Sequence, residues 1–158
     1  LGDWALRFLL IGLCVTPLRQ MGWRSAARMR RMLGLYAFFY VAAHVTSYVV
    51  LDNFFDWPAI FADILKRRYI TVGMLAVLLL VPLAITSTDA MIRRLGGRRW
   101  RRLHQMVYPA AILGVLHFSL MVKADLREPL LYATVLAVLL GWRIVKAVQV
   151  ARVTTPTP

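Results

Sequence analysis

The chain has one cysteine, three histidines and seven acidic residues among 158. A single cysteine, Cys14, excludes an intrachain disulfide, and its place in an apolar run marks it as a small packing residue. No paired carboxylates and no Ser-His-Asp arrangement occur, so hydrolysis has no support. No Gly-rich loop follows a strand pattern, so a nucleotide or flavin fingerprint is missing. Gly96-Gly97, set between arginines, reads as a turn. The chain opens at Leu1 without a signal-peptide pattern, and it reads as a domain from which an earlier helix is missing. Long stretches also lack the polar face that a soluble core helix would carry.

The chain is rich in apolar residues and in positive charge. Hydrophobic residues make up 60% of the sequence and the mean hydropathy is +0.64, against roughly half apolar for a soluble domain. A membrane-spanning segment needs about 20 mostly apolar residues. Five stretches fit: A over residues 4–18, B over 32–51, C over 69–87, D over 104–122 and E over 129–148. The expected fold is an all-α, polytopic transmembrane helix bundle of five spans occupying residues 1–150, with a polar, Pro-rich disordered tail at 151–158. Arg7 in span A is expected near an interface or snorkelling to one.

The net charge of +13 would suit nucleic acid, but its placement argues for topology instead. The A–B connection holds Arg19, Arg24, Arg28, Arg30 and Arg31 with no acid. The C–D connection holds Arg93, Arg94, Arg98, Arg99, Arg101 and Arg102 against Asp89, and Arg143, Lys146 and Arg152 come after the core of E. The B–C and D–E connections are neutral. By the positive-inside rule A–B, C–D and the C-terminus face the cytoplasm, while B–C and D–E face outward. Binding of anionic lipid or of a cytoplasmic donor is a secondary role for the basic loops. Within B–C, Asp56-Trp57-Pro58 reads as a helix start. Ile60, Phe61, Ile64 and Leu65 then recur at helical spacing, which predicts a short amphipathic helix on the outer surface.

The three histidines, His44, His104 and His117, all lie within or at the edge of apolar spans. An imidazole in hydrocarbon needs a partner or a task. His44 stands thirteen residues above Arg31, and His117 thirteen above His104. At about 1.5 Å per residue both lie roughly 20 Å up, at matching depth. Two facing imidazoles in a helix bundle can hold a haem iron from both sides, so His44 and His117 are the candidate axial ligands. The alternative is that each histidine hydrogen-bonds a neighbouring helix. His104 is the candidate ligand of an inner, incomplete site. On a straight helix it points about 140° away from His117, unless Pro109 kinks or rewinds the segment.

Other polar residues have plainer readings. Thr16, Ser47, Thr71, Thr86, Ser87 and Ser119 are expected to make helix–helix hydrogen bonds, and Gly34, Gly73 and Gly114 to allow close packing or to leave room for a porphyrin. Trp4, Tyr48, Trp57, Tyr69, Trp100 and Trp142 form an aromatic belt. Tyr36, Phe38, Phe39, Tyr40 and Phe118 are candidates for the haem edge or for ordinary packing. Arg67 and Arg68 lie on the outer side, where haem propionates would need a cation.

Several stretches carry a family resemblance: Gly2-Asp3-Trp4-Ala5-Leu6, Val15-Thr16-Pro17-Leu18-Arg19, Arg30-Arg31-Met32-Leu33-Gly34-Leu35 and His44-Val45-Thr46-Ser47-Tyr48. Further along come Lys66-Arg67-Arg68-Tyr69-Ile70-Thr71-Val72-Gly73, Leu83-Ala84-Ile85-Thr86-Ser87-Thr88, Arg94-Leu95-Gly96, Trp100, Leu103-His104 and His117. In this order, over nearly its whole length, the chain resembles the MsrQ (YedZ) family of the ferric reductase-like transmembrane group. The resemblance implies six family spans, the first of them missing here, and haem b, one or two per chain, with FMN also reported for the family. It implies an electron-transfer subunit rather than the catalytic one, in the bacterial inner membrane. Its donor would be the quinone pool or a cytoplasmic flavin reductase. Its acceptor would be a periplasmic molybdenum-containing methionine sulfoxide reductase that repairs oxidised proteins. The rival readings are a stand-alone ferric reductase-like haem protein and a cofactor-free transporter or structural subunit.

The charge pattern yields a test of topology. Reporter fusions after Arg24 and Arg98 are expected to read cytoplasmic, and fusions near Asp56 and Asp125 periplasmic. The opposite pattern would put His44 and His117 on the inner side and overturn the electron path.

Overall fold

The computed structural model describes residues 1–23, 26–122 and 125–154, so Arg24 and Lys123 of the connections lie outside the described residues. Hydrocarbon offers no water to backbone N–H and C=O groups, and a helix satisfies them within its own segment. The described chain is helical throughout, with no strand. Helix α1 (Gly2–Gln20) is followed by α2 (Ala26–Ser47), which ends in a π-helical turn at Tyr48–Asp52. Next come α3 (Trp57–Lys66), α4 (Arg68–Ile85), α5 (Asp89–Leu95) and α6 (Gly97–Leu103). A 3₁₀ turn at His104–Met106 leads into α7 (Val107–Met121), and α8 (Arg127–Thr154) closes the chain.

Among the described residues, four helical stretches are long and apolar enough to cross a membrane: Met29–Asp52, Arg68–Ile85, Gly97–Met121 and Arg127–Gln149. The fifth expected span, α1, has 19 residues and carries Asp3, Arg7 and Arg19. Phe39, Leu78 and Val138, in the middle of three such stretches, are 63–64% exposed. Side chains of this size and number on the outside fit lipid as the surrounding solvent. The protein is a multi-pass, all-α membrane protein.

Helix α1 packs along α2, and α4 along α7. The core joins Leu6, Leu10 and Leu13 to Ala37, Leu80, Ala111, Val115 and Leu136. Ala37, Ala110 and Ala111 are completely covered; small side chains there let the helix axes approach. Pro17 stands inside α1 and has no N–H, so the carbonyl of Leu13, four residues back, loses its helical donor. Arg143 of α8 replaces it: its Nη2 donates to the Leu13 carbonyl at 2.6 Å, and its guanidinium lies 5.3 Å from the centre of the Tyr108 ring. Arg7 makes a bond between helices, its Nε donating to the Tyr132 hydroxyl of α8 at 2.8 Å.

The connections hold more helix than the sequence pattern implies. The amphipathic helix is α3, capped by Asp56, whose Oδ1 accepts the Ala59 N–H at 3.1 Å; Ile60 is buried, and Phe61 and Leu65 are exposed. Phe54 and Phe55 precede it at φ 46° and 63°, a left-handed turn unusual for bulky residues. The C–D connection is α5 and α6, with Thr88 capping the first and Gly96 at φ 74° dividing the two. The break thus falls at Gly96, and Gly97 begins a helix. Helix α8 runs on through Thr154, past the expected end of span E and into the stretch read as tail; residues 155–158 lie outside the described residues. Rewinding of the D segment occurs at His104–Met106. Pro109 sits in the first turn of α7, where it forfeits no helical bond.

Three of the expected interhelical hydroxyl bonds are local instead. Ser47, Ser87 and Ser119 donate to carbonyls of their own helices, those of His44, Leu83 and Val115, at 2.6–2.8 Å. A short side chain reaches the carbonyl three or four residues back more readily than a neighbouring helix. Thr71 does bridge elements, donating to the Ile64 carbonyl of α3.

The Arg143 latch is testable. Arg143→Met would keep the apolar stem and orphan the Leu13 carbonyl, at a cost of about 1.5–3 kcal/mol. The thermal midpoint in detergent is expected to fall by several degrees, at about 2–4 °C per kcal/mol. An unchanged midpoint would show that the proline gap needs no outside donor.

Candidate functional site

A chamber of about 670 Å³ opens among α1, α2, α4 and α7, within the range of about 300–1,000 Å³ typical of small-molecule sites. Its inner walls are apolar, with Leu6, Leu9, Val41, Leu80 and Phe118, and its mouth carries Asp3, Asp52, Asp63 and Arg67. His44 of α2 and His117 of α7 both line it.

The two imidazoles face each other with centroids 6.4 Å apart and planes at 67°. An imidazole nitrogen bonds a first-row metal at about 2.0–2.1 Å, so two rings on opposite sides of one metal have centroids roughly 6 Å apart. The equal depths of the two histidines on parallel helices thus become a facing pair. His117 Nδ1 lies 2.7 Å from the Tyr69 carbonyl oxygen. A carbonyl only accepts, so Nδ1 carries the proton and Nε2 keeps its lone pair for a ligand. Neither ring nitrogen of His44 has a hydrogen-bond partner among the described residues. The π-helical turn begins four residues after His44, a distortion frequent at functional sites. Gly73 of α4 supplies room: a Cβ built there would lie 2.8 Å from His117 Nδ1. Free imidazole lone pairs, an apolar chamber and a glycine cradle together fit a haem between the histidines.

At the mouth, Arg67 Nε lies 3.0 Å from Asp63 Oδ1, and its Nη1 donates to the Tyr69 hydroxyl at 3.2 Å. The Tyr69 hydrogen bond, with Asp63 adding to it, raises the guanidinium above its ordinary pKa, so Arg67 stays cationic. The Tyr48 hydroxyl donates to Asp63 Oδ2 at 3.3 Å. Of the two outer arginines only Arg67 lines the chamber. Of the aromatics considered for the haem edge, Phe118 lines it. Tyr36 and Tyr40 instead stack on Phe8 with centroids at 5.6 and 5.4 Å, and Phe39 faces outward.

His104 is not brought to this chamber. Its ring packs on Trp100 with centroids 3.9 Å apart, and its Nε2 lies 3.3 Å from Thr86 Oγ1. Thr86 Oγ1 donates to the Pro82 carbonyl at 2.6 Å, which assigns the shared proton of the longer contact to His104. Trp100 Nε1 donates to the Thr86 carbonyl at 2.8 Å. The residues that sequence reasoning did not tie to the pair are Tyr69 and Asp63. Tyr69 acts through its backbone carbonyl, which no side-chain pattern reveals, and Asp63 reaches the mouth only because α3 folds back over α4.

Comparisons with known proteins agree with this geometry. Residues 1–115 match the family described as "Ferric reductase like transmembrane component". A "Protein-methionine-sulfoxide reductase heme-binding subunit MsrQ" of Rhodospirillum rubrum is 63% identical over 150 residues, covering 94% of this chain and 72% of that protein. Proteins of the same name from Xanthomonas euvesicatoria pv. vesicatoria and Xanthomonas campestris pv. campestris are 57% and 58% identical. Those matches cover 99% and 97% of this chain, and 74% and 70% of theirs. No solved structure matches the chain. With two thirds or more of each relative covered at such identity, the chain belongs to the MsrQ family of ferric reductase-like transmembrane proteins.

Proposed function

We propose that this membrane electron-transfer subunit holds one haem b between His44 and His117 and passes electrons outward to a periplasmic methionine sulfoxide reductase. The observation that carries the reading is the facing imidazole pair, 6.4 Å between centroids. Bound there, haem b supplies reversible one-electron chemistry at iron. The chain's own residues do the rest. His44 and His117 would hold its iron through their ring nitrogens, and with two protein ligands the group would suit shuttling of electrons rather than binding of oxygen. Leu6, Leu9, Val41, Leu80 and Phe118 keep water out. Arg67, the cation among the lining residues at the mouth, offers its remaining N–H groups to a propionate.

The relatives are named for a haem-binding role in methionine sulfoxide reduction, and the same role here gives the acceptor, a molybdenum-containing partner outside the bacterial inner membrane. The connections rich in arginine then face the cytoplasm. The donor is the quinone pool or a cytoplasmic flavin reductase. Roughly 20 Å of helix rise separates the level of His104 from that of His117, which is long for one useful electron step. A relay at the His104–Trp100–Thr86 cluster fills the gap, with a second haem, FMN or a bound quinone as its occupant.

His44→Ala and His117→Ala are each expected to remove most bound haem from detergent-purified protein, measured by pigment extraction and the reduced spectrum. Normal haem in both variants would sink the ligand pair and put the haem elsewhere, whereas native protein without haem would leave the cofactor-free reading. His104→Ala is expected to keep the outer haem spectrum and its reduction by a small membrane-permeant reductant, while slowing reduction by the physiological donor. A native rate with that donor would make His104 a structural residue.

A further inference from the structure

In an α-helix the carbonyl of residue i points along the axis towards the N–H of residue i+4. The side chain at i+4 stands on the same face and covers the approach to that carbonyl from a neighbouring helix. Tyr69 and Gly73 are such a pair in the first two turns of α4. His117 of α7 reaches over Gly73 and gives its Nδ1 proton to the Tyr69 carbonyl at 2.7 Å. A Cβ at position 73 would lie 2.8 Å from His117 Nδ1, 3.0 Å from Cε1 and 3.3 Å from Cγ. The obstruction involves three atoms of a ring that is anchored on its other side by α7, so no flexible side-chain end is available to move aside. Gly34 has nothing within 4 Å, and Gly114 meets only Leu6 Cδ1 at 3.5 Å; Gly73 alone among these three is set against a histidine.

We propose that Gly73 is a positioning residue for the redox centre: its missing side chain opens the Tyr69 carbonyl to His117 and thereby fixes the ring's tautomer, plane and donor strength. This rests on His117 as an axial ligand of the haem. A hydrogen bond from Nδ1–H to a carbonyl makes the opposite nitrogen a stronger donor and orients it. A stronger donor favours ferric over ferrous iron, so the Tyr69 bond holds the potential down. The first turn of α4 that carries this carbonyl is itself pinned to α3 by Thr71 and by Arg67 on Asp63. Backbone order at the outer mouth is thus coupled to the ligand. A helical glycine with open space beside it would act otherwise, because alanine is favoured over glycine within a helix and would raise stability.

The test is Gly73→Ala in the haem-loaded full chain, with Gly34→Ala as the control. Gly73→Ala is expected to weaken haem retention about 10–100-fold, the usual effect of losing an outer-shell partner. In the haem that remains, the ferric/ferrous ratio should move about tenfold towards ferrous, about 59 mV for one electron, with altered low-spin resonance of the ferric form. Gly34→Ala should leave retention, potential and resonance unchanged. An unchanged potential and resonance in Gly73→Ala would overturn the proposal even if His44→Ala and His117→Ala lose haem, which keeps its failure separate from failure of the ligand pair. If Gly73→Ala does not accumulate in the membrane, Gly73→Ala with His117→Ala should accumulate as His117→Ala does, because the obstructing ring is gone. Failure of that double variant would show that the glycine serves something other than the ring, and would overturn the proposal too.

Discussion

The constraint on which everything here depends is that a polar group inside hydrocarbon must find its partner within the protein. Several irregularities of the bundle are met by a specific donor or acceptor. Pro17 strips a donor from the Leu13 carbonyl, and Arg143 crosses from α8 to supply one. The Tyr69 carbonyl takes a second donor from His117. Thr86, a buried polar residue, is satisfied by the Pro82 carbonyl and His104 while its own carbonyl receives Trp100. Ties of this kind join α1 to α8, α4 to α7, and the C-terminal end of α4 to α6 and the 3₁₀ turn. They set the helix positions more narrowly than apolar packing can, since lipid tails compete with leucine for apolar contact.

The same constraint separates two kinds of histidine. His104 has its Nε2 at Thr86 and its face on Trp100, away from the chamber and from any second histidine. His44 has no nitrogen partner among the described residues, and His117 spends one nitrogen on a carbonyl while aiming the other into the chamber. An unspent imidazole lone pair in an apolar chamber is costly without a ligand. Two of them facing each other across one space make a binding site the economical explanation of the local geometry. At the mouth of the chamber Tyr48, Asp63 and Arg67 are tied together.

Much of this was readable along the chain. Helical apolar runs have no alternative structure in lipid, so helices B to E and the membrane class followed from hydropathy. Asp56 and Pro58 announced α3 through capping chemistry that is local to four residues. The depths of His44 and His117 followed from counting rises above Arg31 and His104, because helix rise is constant. The helices α5 and α6 were missed because their arginines mask any apolar period. The end of α8 was missed because polarity marks where a span leaves lipid and not where its helix stops.

What the sequence by itself determined was composition along each helix: which segments enter hydrocarbon, which ends carry the arginines, and at what height each histidine stands. These are one-dimensional quantities, set by residue type and by rise per residue. Rotation about each helix axis and the choice of neighbours were decided only in three dimensions. That is why Tyr36 and Tyr40 turned to Phe8 rather than to the chamber, and why Arg143 found a carbonyl 130 residues away. It is also why Gly73, one of three similar helical glycines by pattern, came to lie under His117. A backbone carbonyl carries no sequence signature, so its meeting with an imidazole is specified by packing alone.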